Sequence, residues 1–324
     1  MAATSRLRTA LNDNLLVLPD GAGAVVRPKN DFDVAAMSDR DLTIVTTFAP
    51  DADMWAQAGY DVSQSMQPSP FAIVNIPRSK TFAKALVAEA AQMSDLVIVD
   101  GDKTDGIDSI FKACRKVLGD LPSVTKNHGR LFWFERTDAF EDWLNDGPSM
   151  GAHGFYTSAG VFSDGAVDKG SALLLEALPK ELPRRIADLG AGWGYLSAGM
   201  LERTGVESIT LVEAEQMALD CAKLNVSDDR ASFVWADART FEVPEKYDAV
   251  VMNPPFHTGR DGDPGLGKDF IRSAARLLKT NGDLWMVANR HLPYEATLNE
   301  CFQRVEELAG SAGFKVFKAS RTKG

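Results

Sequence analysis

The chain has 324 residues, of which 45% are hydrophobic and 25% are charged, and its formal net charge is −10. This length exceeds what one hydrophobic core usually serves, so we expect two domains. The composition excludes a chain that is disordered throughout, and no apolar run is long enough to span a membrane. The acidic balance excludes the broad basic surface of a general nucleic-acid coat, so any contact with RNA must be local.

The amino-terminal residues and the cysteines indicate the compartment. Residues 1–10 carry no apolar segment of the kind that a secretory signal requires, so we expect a cytoplasmic protein. The cysteines are odd in number and far apart, which predicts neither a disulfide framework nor a metal site. They are Cys114, Cys221 and Cys301. We expect all three to be buried as small apolar side chains in a reducing environment.

Apolar runs with strand character alternate with helical patterns in both halves, which predicts α/β layers around a mostly parallel sheet. In the first half, strands are predicted at residues 42–48, 71–76, 96–99 and 131–134, with helices at 82–93 and 107–118. In the second half, the predicted strands are 186–189, 209–212, 233–235, 249–252, 284–287 and 315–318, and the predicted helices are 195–203, 216–224, 268–278 and 294–308. A glycine-rich linker at 146–165 separates the expected domains, residues 1–150 and 151–324.

The two halves resemble each other in pattern. Residues 72–77 match 249–254, and two later strand segments match in the same way, 95–99 with 283–287 and 131–136 with 314–319. The pattern favours a duplicated fold, with chance similarity between α/β units as the alternative. The first strand predicted in the amino-terminal copy, 42–48, runs into no glycine-rich turn. We therefore expect that half to be a degenerate scaffold or substrate platform.

The strongest local motif is a strand that runs into a glycine turn and then a helix. Asp188 precedes three glycines at alternate positions, Gly190, Gly192 and Gly194. Such glycines let the backbone turn sharply and leave room for a ligand to lie against the main chain, while the helix start offers free N–H groups. A dinucleotide fingerprint needs another spacing. The motif resembles the first motif of class I methyltransferases that bind S-adenosylmethionine; a turn without a ligand is the alternative.

Two acidic residues follow at the ends of the next predicted strands. Glu213 lies about twenty residues beyond the glycine turn, where a carboxylate can accept both ribose hydroxyls of a bound adenosine. Asp237 ends the following strand and can accept from the adenine amino group. For Glu213 the alternative is a solvated loop acid, and for Asp237 it is a helix cap.

The motif that indicates the chemistry is Asn253-Pro254-Pro255-Phe256, directly after a predicted strand. Two successive prolines make the backbone rigid and cannot continue the strand. The amide oxygen of Asn253 and the carbonyl of Pro254 can accept the two hydrogens of an aromatic amine, which directs its lone pair toward a methyl donor. Phe256 can stack on the base and hold its plane. These four residues are the predicted catalytic set, with Asn253 also beside the cofactor; a rigid loop without chemistry is the alternative.

With both motifs in place, the chain from about Gly154 to its end resembles the RsmC/RlmG group of bacterial ribosomal RNA guanine-N2 methyltransferases. The segments that carry the resemblance are 160–163, Asp168-x-Gly170-Ser171, 188–194, 253–257, 287–289 and 292–294. The group has a degenerate amino-terminal copy of its fold. The resemblance thus implies an α/β protein of two tandem class I methyltransferase-like domains, Rossmann-like and doubly wound, the first degenerate.

The same resemblance implies a function and further site residues. It implies a cytoplasmic enzyme that moves a methyl group from S-adenosyl-L-methionine to the exocyclic N2 of one guanine in ribosomal RNA, most closely the 16S RNA of the small subunit. It also implies that Phe162, Asp168 and Gly170 lie near the cofactor, although these residues equally fit a turn. No metal is implied.

Candidate substrate contacts follow the catalytic motif. His257 can contact base or phosphate, and Arg260 and Arg290 fall where phosphates need neutralising. Simple solvent exposure is the alternative for each of them. Because a base inside a duplex cannot reach such a pocket, a single-stranded or loop guanine in the RNA or the ribosomal subunit is favoured.

Two other functions stay open at this stage. One keeps the chemistry and changes the amine, to adenine N6 or a protein glutamine; relatives of that kind commonly carry tyrosine where this chain has Phe256. The other is a ribosome-assembly or RNA-binding factor that has lost turnover, against which the intact motifs speak. We expect a monomer, because two similar domains can cover each other's apolar faces. We also expect no binding to membranes.

Overall fold

The protein is described here from a computed structural model, which covers residues 5–151, 153–161, 167–255 and 264–323. The chain divides into two compact units, Met1–Gly147 and Pro148–Gly324. Each unit is built around its own seven-stranded sheet. Within the described residues, no helix is long and apolar enough to cross a membrane.

The first unit contains a sheet of strand order β3-β2-β1-β4-β5-β7-β6, in which only β7 and its partners pair antiparallel. The strands are β1 Gly23–Val26, β2 Leu42–Val45, β3 Asp61–Ser63, β4 Ser69–Asn75, β5 Ser94–Asp102, β6 Ser123–Lys126 and β7 Gly129–Glu135. The helices are α1 Arg6–Asn12, α2 Ala49–Gln57, α3 Lys80–Met93 and α4 Ile107–Leu118, with 3₁₀ turns at Val34–Met37, Lys103–Asp105 and Glu141–Trp143.

The second unit repeats this order as β12-β11-β10-β13-β14-β16-β15, after a two-stranded hairpin of β8 and β9. Its strands are β8 Ser149–Met150, β9 Tyr156–Thr157, β10 Arg185–Leu189, β11 Ser208–Glu213, β12 Ala231–Trp235, β13 Tyr247–Met252, β14 Leu278–Asn289, β15 Phe302–Gly310 and β16 Phe314–Thr322. Its helices are α5 Lys169–Ala177, α6 Tyr195–Leu201, α7 Gln216–Asn225, α8 Pro264–Leu277 and α9 Glu295–Cys301.

Local chemistry explains where these helices begin and which face they bury. Helix α4 buries residues at helical spacing, Ile107, Ile110, Phe111 and Cys114, so one stripe packs on the sheet. Helix α3 begins where the Ser79 hydroxyl accepts a hydrogen bond from the backbone N–H of Phe82. The central strands β4, β10 and β13 are buried on both faces, as parallel strands covered by helices require.

The duplicated fold expected from the sequence is confirmed, with a shifted alignment. In the first sheet Val74 of β4 pairs with Val26, the last residue of the central strand β1. In the second sheet Met252 of β13 pairs with Leu189, the last residue of the central strand β10. Asn75 is therefore the counterpart of Asn253, whereas the match of 72–77 with 249–254 had aligned Asn75 with Met252. Both sheets also turn alike after the central strand.

That turn is preserved even without glycine. The backbone N–H of Arg27 donates to the carbonyl of Val45 at 2.8 Å, as the N–H of Gly190 donates to the carbonyl of Val212 at 2.8 Å. Arg27 has a φ of 49°, in the left-handed region where Gly190 has 71°. The two units thus share one backbone path at this corner.

Three sequence-based predictions were wrong in detail. The segment predicted as a helix over 294–308 is helical only to Cys301, because 302–310 pairs antiparallel with β16 as an edge strand. The first strand of the amino-terminal copy is β1, not the predicted strand at 42–48, which is β2 and ends at Val45. Cys114 and Cys221 are buried as expected, whereas Cys301 is only partly buried at the end of α9.

Candidate active site

The glycine turn lies between the carboxyl end of β10 and the start of α6. Gly190, Gly192 and Gly194 all have positive φ, at 71°, 56° and 90°. A side chain at Gly194 would meet Val226 at 2.9 Å, whereas a side chain at Gly192 would meet nothing within 4 Å. Packing against Val226 thus requires a glycine at 194. At Gly192 the space is open, and the absence of a side chain lets a ligand approach the backbone.

Asp188 is fully buried beneath this turn. Its Oδ2 accepts a hydrogen bond from the Ser197 hydroxyl at 2.7 Å, and its Oδ1 is buried with no partner among the described residues. Burial raises the pKa of Asp188 to about 7, an effect that the Ser197 hydrogen bond opposes and the nearby Glu213 charge reinforces. A buried carboxyl oxygen without a partner is costly, so the site favours a donor or a cation from outside.

Glu213 ends β11 beside the glycine turn. Its two carboxylate oxygens accept from the backbone N–H groups of Gly192 at 2.7 Å and Glu215 at 2.9 Å. Burial raises the pKa of Glu213, while these two backbone donors lower it. Each oxygen can still accept a second hydrogen bond, so the pair remains able to receive two ribose hydroxyls.

Asp237 follows β12 and is occupied by its own neighbour. Its carboxylate accepts from the backbone N–H of Arg239 at 2.8 Å and from the guanidinium of that residue at 2.6 to 3.0 Å. Its carbonyl accepts from the N–H groups of Thr240 and Phe241. Asp237 thus caps a turn and not the helix that the alternative interpretation expected. Contact with an adenine stays a prediction.

Asn253 follows β13 and its side-chain amide is held from behind. The amide nitrogen Nδ2 donates to Oδ2 of Asp168 at 2.9 Å and to Oγ of Ser171 at 2.8 Å. Asp168 is the N-cap of α5, and the same Oδ2 accepts from the backbone N–H of Ser171 at 2.8 Å. After Asn253, Pro254 is buried and Pro255 is exposed.

One cleft brings the two motifs together. It is lined by Asp168, Ser171, Gly190, Ala191, Gly192, Trp193, Tyr195, Leu196 and Asn253. No role was predicted for Ser171, Trp193, Tyr195 or Leu196. Nor was one predicted for Asn225, whose amide nitrogen donates to the Trp193 carbonyl at 2.8 Å and so holds the glycine turn from α7. The signals for them were the segment shared with the resembling family, for Ser171, and the aromatic residues within 193–195.

The remaining predicted site residues fall in different places. Phe162, Phe256, His257 and Arg260 lie outside the described residues. Gly170 lies behind the cleft, where a side chain would meet the Asp168 carboxylate and the Phe314 ring, both at 3.0 Å. Arg290 binds the β15–β16 hairpin, donating to the carbonyls of Ser311 and Phe314 and to the Glu307 carboxylate. An RNA contact by Arg290 therefore stays a prediction.

The described residues fit S-adenosylmethionine on their own chemistry. The open space over Gly192 and the carboxylate of Glu213, which is hydrogen-bonded to that glycine, form a cradle at the carboxyl edge of a doubly wound sheet, and the unpartnered Oδ1 of Asp188 is buried beneath the turn. Gly190 and Gly192 would face the ligand, and Glu213 would hold its ribose. Together with the amide of Asn253 in the same cleft, these features define a class I methyltransferase.

The corresponding corner of the first unit lacks this cradle. By strand register, Arg27, Pro28 and Lys29 stand where the second unit has Gly190, Ala191 and Gly192. A cavity of about 320 Å³ lies there instead, lined by charged side chains: Arg6 of α1 donates to Asp100 at 2.6 Å and to Asp102 at 3.1 Å. The first unit therefore keeps the backbone path of the fold without the glycine-lined surface of the second unit.

Comparison with known proteins agrees with this class. The model of the methyltransferase small domain family matches residues 152–318. A protein of Hahella chejuensis named ribosomal RNA small subunit methyltransferase C is 31% identical over 249 residues, 73% of this chain and 72% of that protein. Its namesake in Shewanella pealeana is 30% identical over 259 residues, 76% and 75% of the two chains.

A solved structure shows the same two-unit fold. The T. thermophilus 16S rRNA N2 methyltransferase RsmC, in complex with AdoMet and guanosine, covers 97% of this chain and 91% of its own with a TM-score of 0.80 and 22% identity. The chain described here thus belongs to the methyltransferase small domain family, within the ribosomal RNA small subunit methyltransferase C group.

Proposed function

We propose that the protein transfers a methyl group from S-adenosylmethionine to the exocyclic N2 amine of a guanine in small-subunit ribosomal RNA. The observation that carries the proposal is the Asn253 amide, held by Asp168 and Ser171 in the cleft that the glycine turn lines. Relatives that align with about three quarters of the chain are named for small-subunit ribosomal RNA. When bound, the cofactor supplies an electrophilic methyl group on a sulfonium.

The residues of the chain act mainly by positioning. The lone pair of an aromatic amine is delocalised, so the amine must be oriented and made pyramidal before it can form a bond to carbon. Asn253 Oδ1 and the Pro254 carbonyl would accept its two hydrogens, and the rigid Pro254-Pro255 backbone would fix the direction. As the nitrogen–carbon bond forms, the carbon–sulfur bond breaks, and one amine proton then leaves to water. A strong general base is not needed before that step.

The two units divide the work in this proposal. Residues 151–324 carry the chemistry, with Asp188, Gly190, Gly192, Glu213 and Asn253 around the cofactor, and the amino-terminal domain to residue 150 serves as a scaffold or RNA platform. The protein would act as a cytoplasmic monomer on ribosomal RNA or on an assembled subunit. Because a paired guanine cannot enter the cleft, the acceptor must be unpaired or flipped out.

The test uses labelled methyl donor with small and large ribosomal subunits that lack the modification, incubated separately. After transfer, the RNA is digested to nucleosides and separated. We expect label in N2-methylguanosine from the small subunit alone. Label in N6-methyladenosine or in a protein digest would show that the acceptor is an adenine or a protein and not a guanine. The absence of label from every acceptor, with the cofactor still bound, would contradict the proposal.

A further inference from the structure

We propose that Asp168 and Ser171 are positioning residues that lock the side-chain amide of Asn253 with its oxygen toward the acceptor amine. The inference rests on the proposed function and extends it to residues that need not touch the acceptor. It starts from the two hydrogens of Nδ2, which are both used: one is donated to Asp168 Oδ2 and the other to Ser171 Oγ. The amide oxygen Oδ1 is then the atom of this side chain that remains to accept from an acceptor amine.

The chemistry of Asp168 decides which way the amide faces. Its Oδ2 already accepts from the Ser171 backbone N–H, so it can only serve as an acceptor for Asn253. A reversed amide would set Oδ1 against this oxygen and would present N–H groups to an acceptor that is itself an N–H donor. Both consequences are unfavourable, so the clamp selects the productive orientation.

The position of the clamp makes it precise. Asp168 is the N-cap of α5, so its carboxylate is fixed by the first turn of a helix whose Leu174 is fully buried. Gly170 lets this carboxylate approach, since a Cβ there would lie 3.0 Å from Oδ2. The Asn253 amide is thus attached to α5, an element some 80 residues away in sequence that does not belong to its own strand.

The first unit supplies an internal comparison. Asn75, the register counterpart of Asn253, donates from its Nδ2 to the carbonyl of Val26 at 3.2 Å, within its own sheet. Its amide is therefore turned onto the end of the central strand rather than held by a capped helix. The unit without a glycine cradle also lacks the clamp, as expected if the clamp serves the reaction and not the fold.

The test compares Asp168→Ala, Asp168→Asn and Ser171→Ala with the wild-type chain. An asparagine at 168 keeps an acceptor oxygen for both bonds and can still cap α5, whereas it removes the charge. At saturating cofactor and subunit, we expect kcat to fall about 10- to 100-fold for Asp168→Ala and to stay within about threefold for Asp168→Asn. The cofactor Kd should change by no more than about threefold in either, and Ser171→Ala should lie between them.

A second readout does not depend on turnover. With ¹⁵N-asparagine labelling, the Asn253 side-chain NH2 signals are assigned by their loss in Asn253→Ala. We expect these hydrogens to exchange slowly in the wild type and in Asp168→Asn, and quickly in Asp168→Ala. Ser79→Ala removes the cap of α3 in the other unit and should leave both readouts unchanged.

The outcomes separate this inference from the proposed function. If the wild type methylates no RNA, the proposed acceptor is wrong while the exchange of the Asn253 amide still tests the clamp. Equal losses in Asp168→Ala and Asp168→Asn, accompanied by a weaker cofactor Kd, would overturn the inference, because Asp168 would then act through its charge on the cofactor. Unchanged amide exchange in Asp168→Ala would overturn it too. Should that variant not fold, Ser171→Ala decides by the same criteria.

Discussion

The backbone N–H of Gly192 donates a hydrogen bond to the carboxylate of Glu213 at 2.7 Å. This bond joins the middle of the glycine turn to the tip of the neighbouring strand, so the loop that faces the ligand and the acid that would hold the ribose are set by one contact. Glu213 also accepts from Glu215 at 2.9 Å, which fixes the second oxygen. The cradle is therefore formed before any ligand arrives.

Removing this acid should weaken cofactor binding in steps. Glu213→Gln loses the charge and one of the two side-chain oxygens that accept from backbone N–H groups, and we expect the Kd for S-adenosylmethionine to rise about 10-fold. Glu213→Ala should raise it about 100-fold, as expected for hydrogen bonds to a charged group. Isothermal titration calorimetry measures both. Glu215→Gln makes the same change of charge two residues away and is the matched control. An unchanged Kd for Glu213→Ala would exclude the ribose role.

The turn glycines should separate binding from stability. In Gly192→Ala the new side chain enters open space, so the cost is about 1 kcal/mol of left-handed strain in folding, while cofactor binding should weaken at least about 10-fold because the main chain is covered. In Gly194→Ala the side chain lies 2.9 Å from Val226, and we expect unfolding free energy to drop by about 2 to 4 kcal/mol. Denaturant unfolding measures the stability of both variants, and calorimetry measures their affinity for the cofactor. Losses of stability and affinity that are proportional in the two variants would contradict this prediction.

Asp188 makes the stability of the chain depend on pH. Its pKa is about 7 in the folded chain and 3.8 in the unfolded one, so the folded state binds the proton more tightly. The stabilisation is complete below the unfolded pKa and is lost as pH rises through about 7. Between pH 5 and pH 8 we expect the free energy of unfolding to fall by about 2 to 3 kcal/mol more in the wild type than in Asp188→Asn. Urea titrations at both pH values measure this; parallel changes in the two proteins would contradict it.

The duplicated fold should bind only one cofactor. Arg27, Pro28 and Lys29 stand in the first unit where the second has Gly190, Ala191 and Gly192, and the cavity of the first unit is lined by ion pairs of Arg6 with two aspartates. Calorimetry should therefore give one S-adenosylmethionine per chain. A second site, surviving in Gly192→Ala, would show that the first unit retains the function of its fold.

Much of the catalytic half could be predicted from the sequence because its chemistry is local. The strand, glycine turn and helix around Asp188, the acid at Glu213 and the strand before Asn253 all fall where predicted. Each of these features depends on a segment of about ten residues, in which hydrophobic periodicity and glycine spacing indicate the structure directly.

What the sequence did not show depends on pairing across the fold. Strand β15 carries Glu306, Glu307 and Leu308, which favour a helix, but its pairing with β16 overrides that preference. Strand β1 is only four residues long and its central role follows from its partners on both sides. The hydrogen bonds from Asn253 to Asp168 and Ser171 span 85 and 82 residues, a distance that no motif spacing encodes.

The central claim is that Asn253 carries the methyl transfer, and one paired measurement tests it. Wild-type protein and Asn253→Ala are titrated with S-adenosylmethionine, and each is then given unmethylated small subunits and labelled donor. We predict a cofactor Kd within about threefold of the wild type and transfer to guanine N2 reduced by at least about 100-fold, since the amine loses one of its two acceptors in the reacting geometry. Transfer to the same guanine at an undiminished rate in Asn253→Ala would contradict the account.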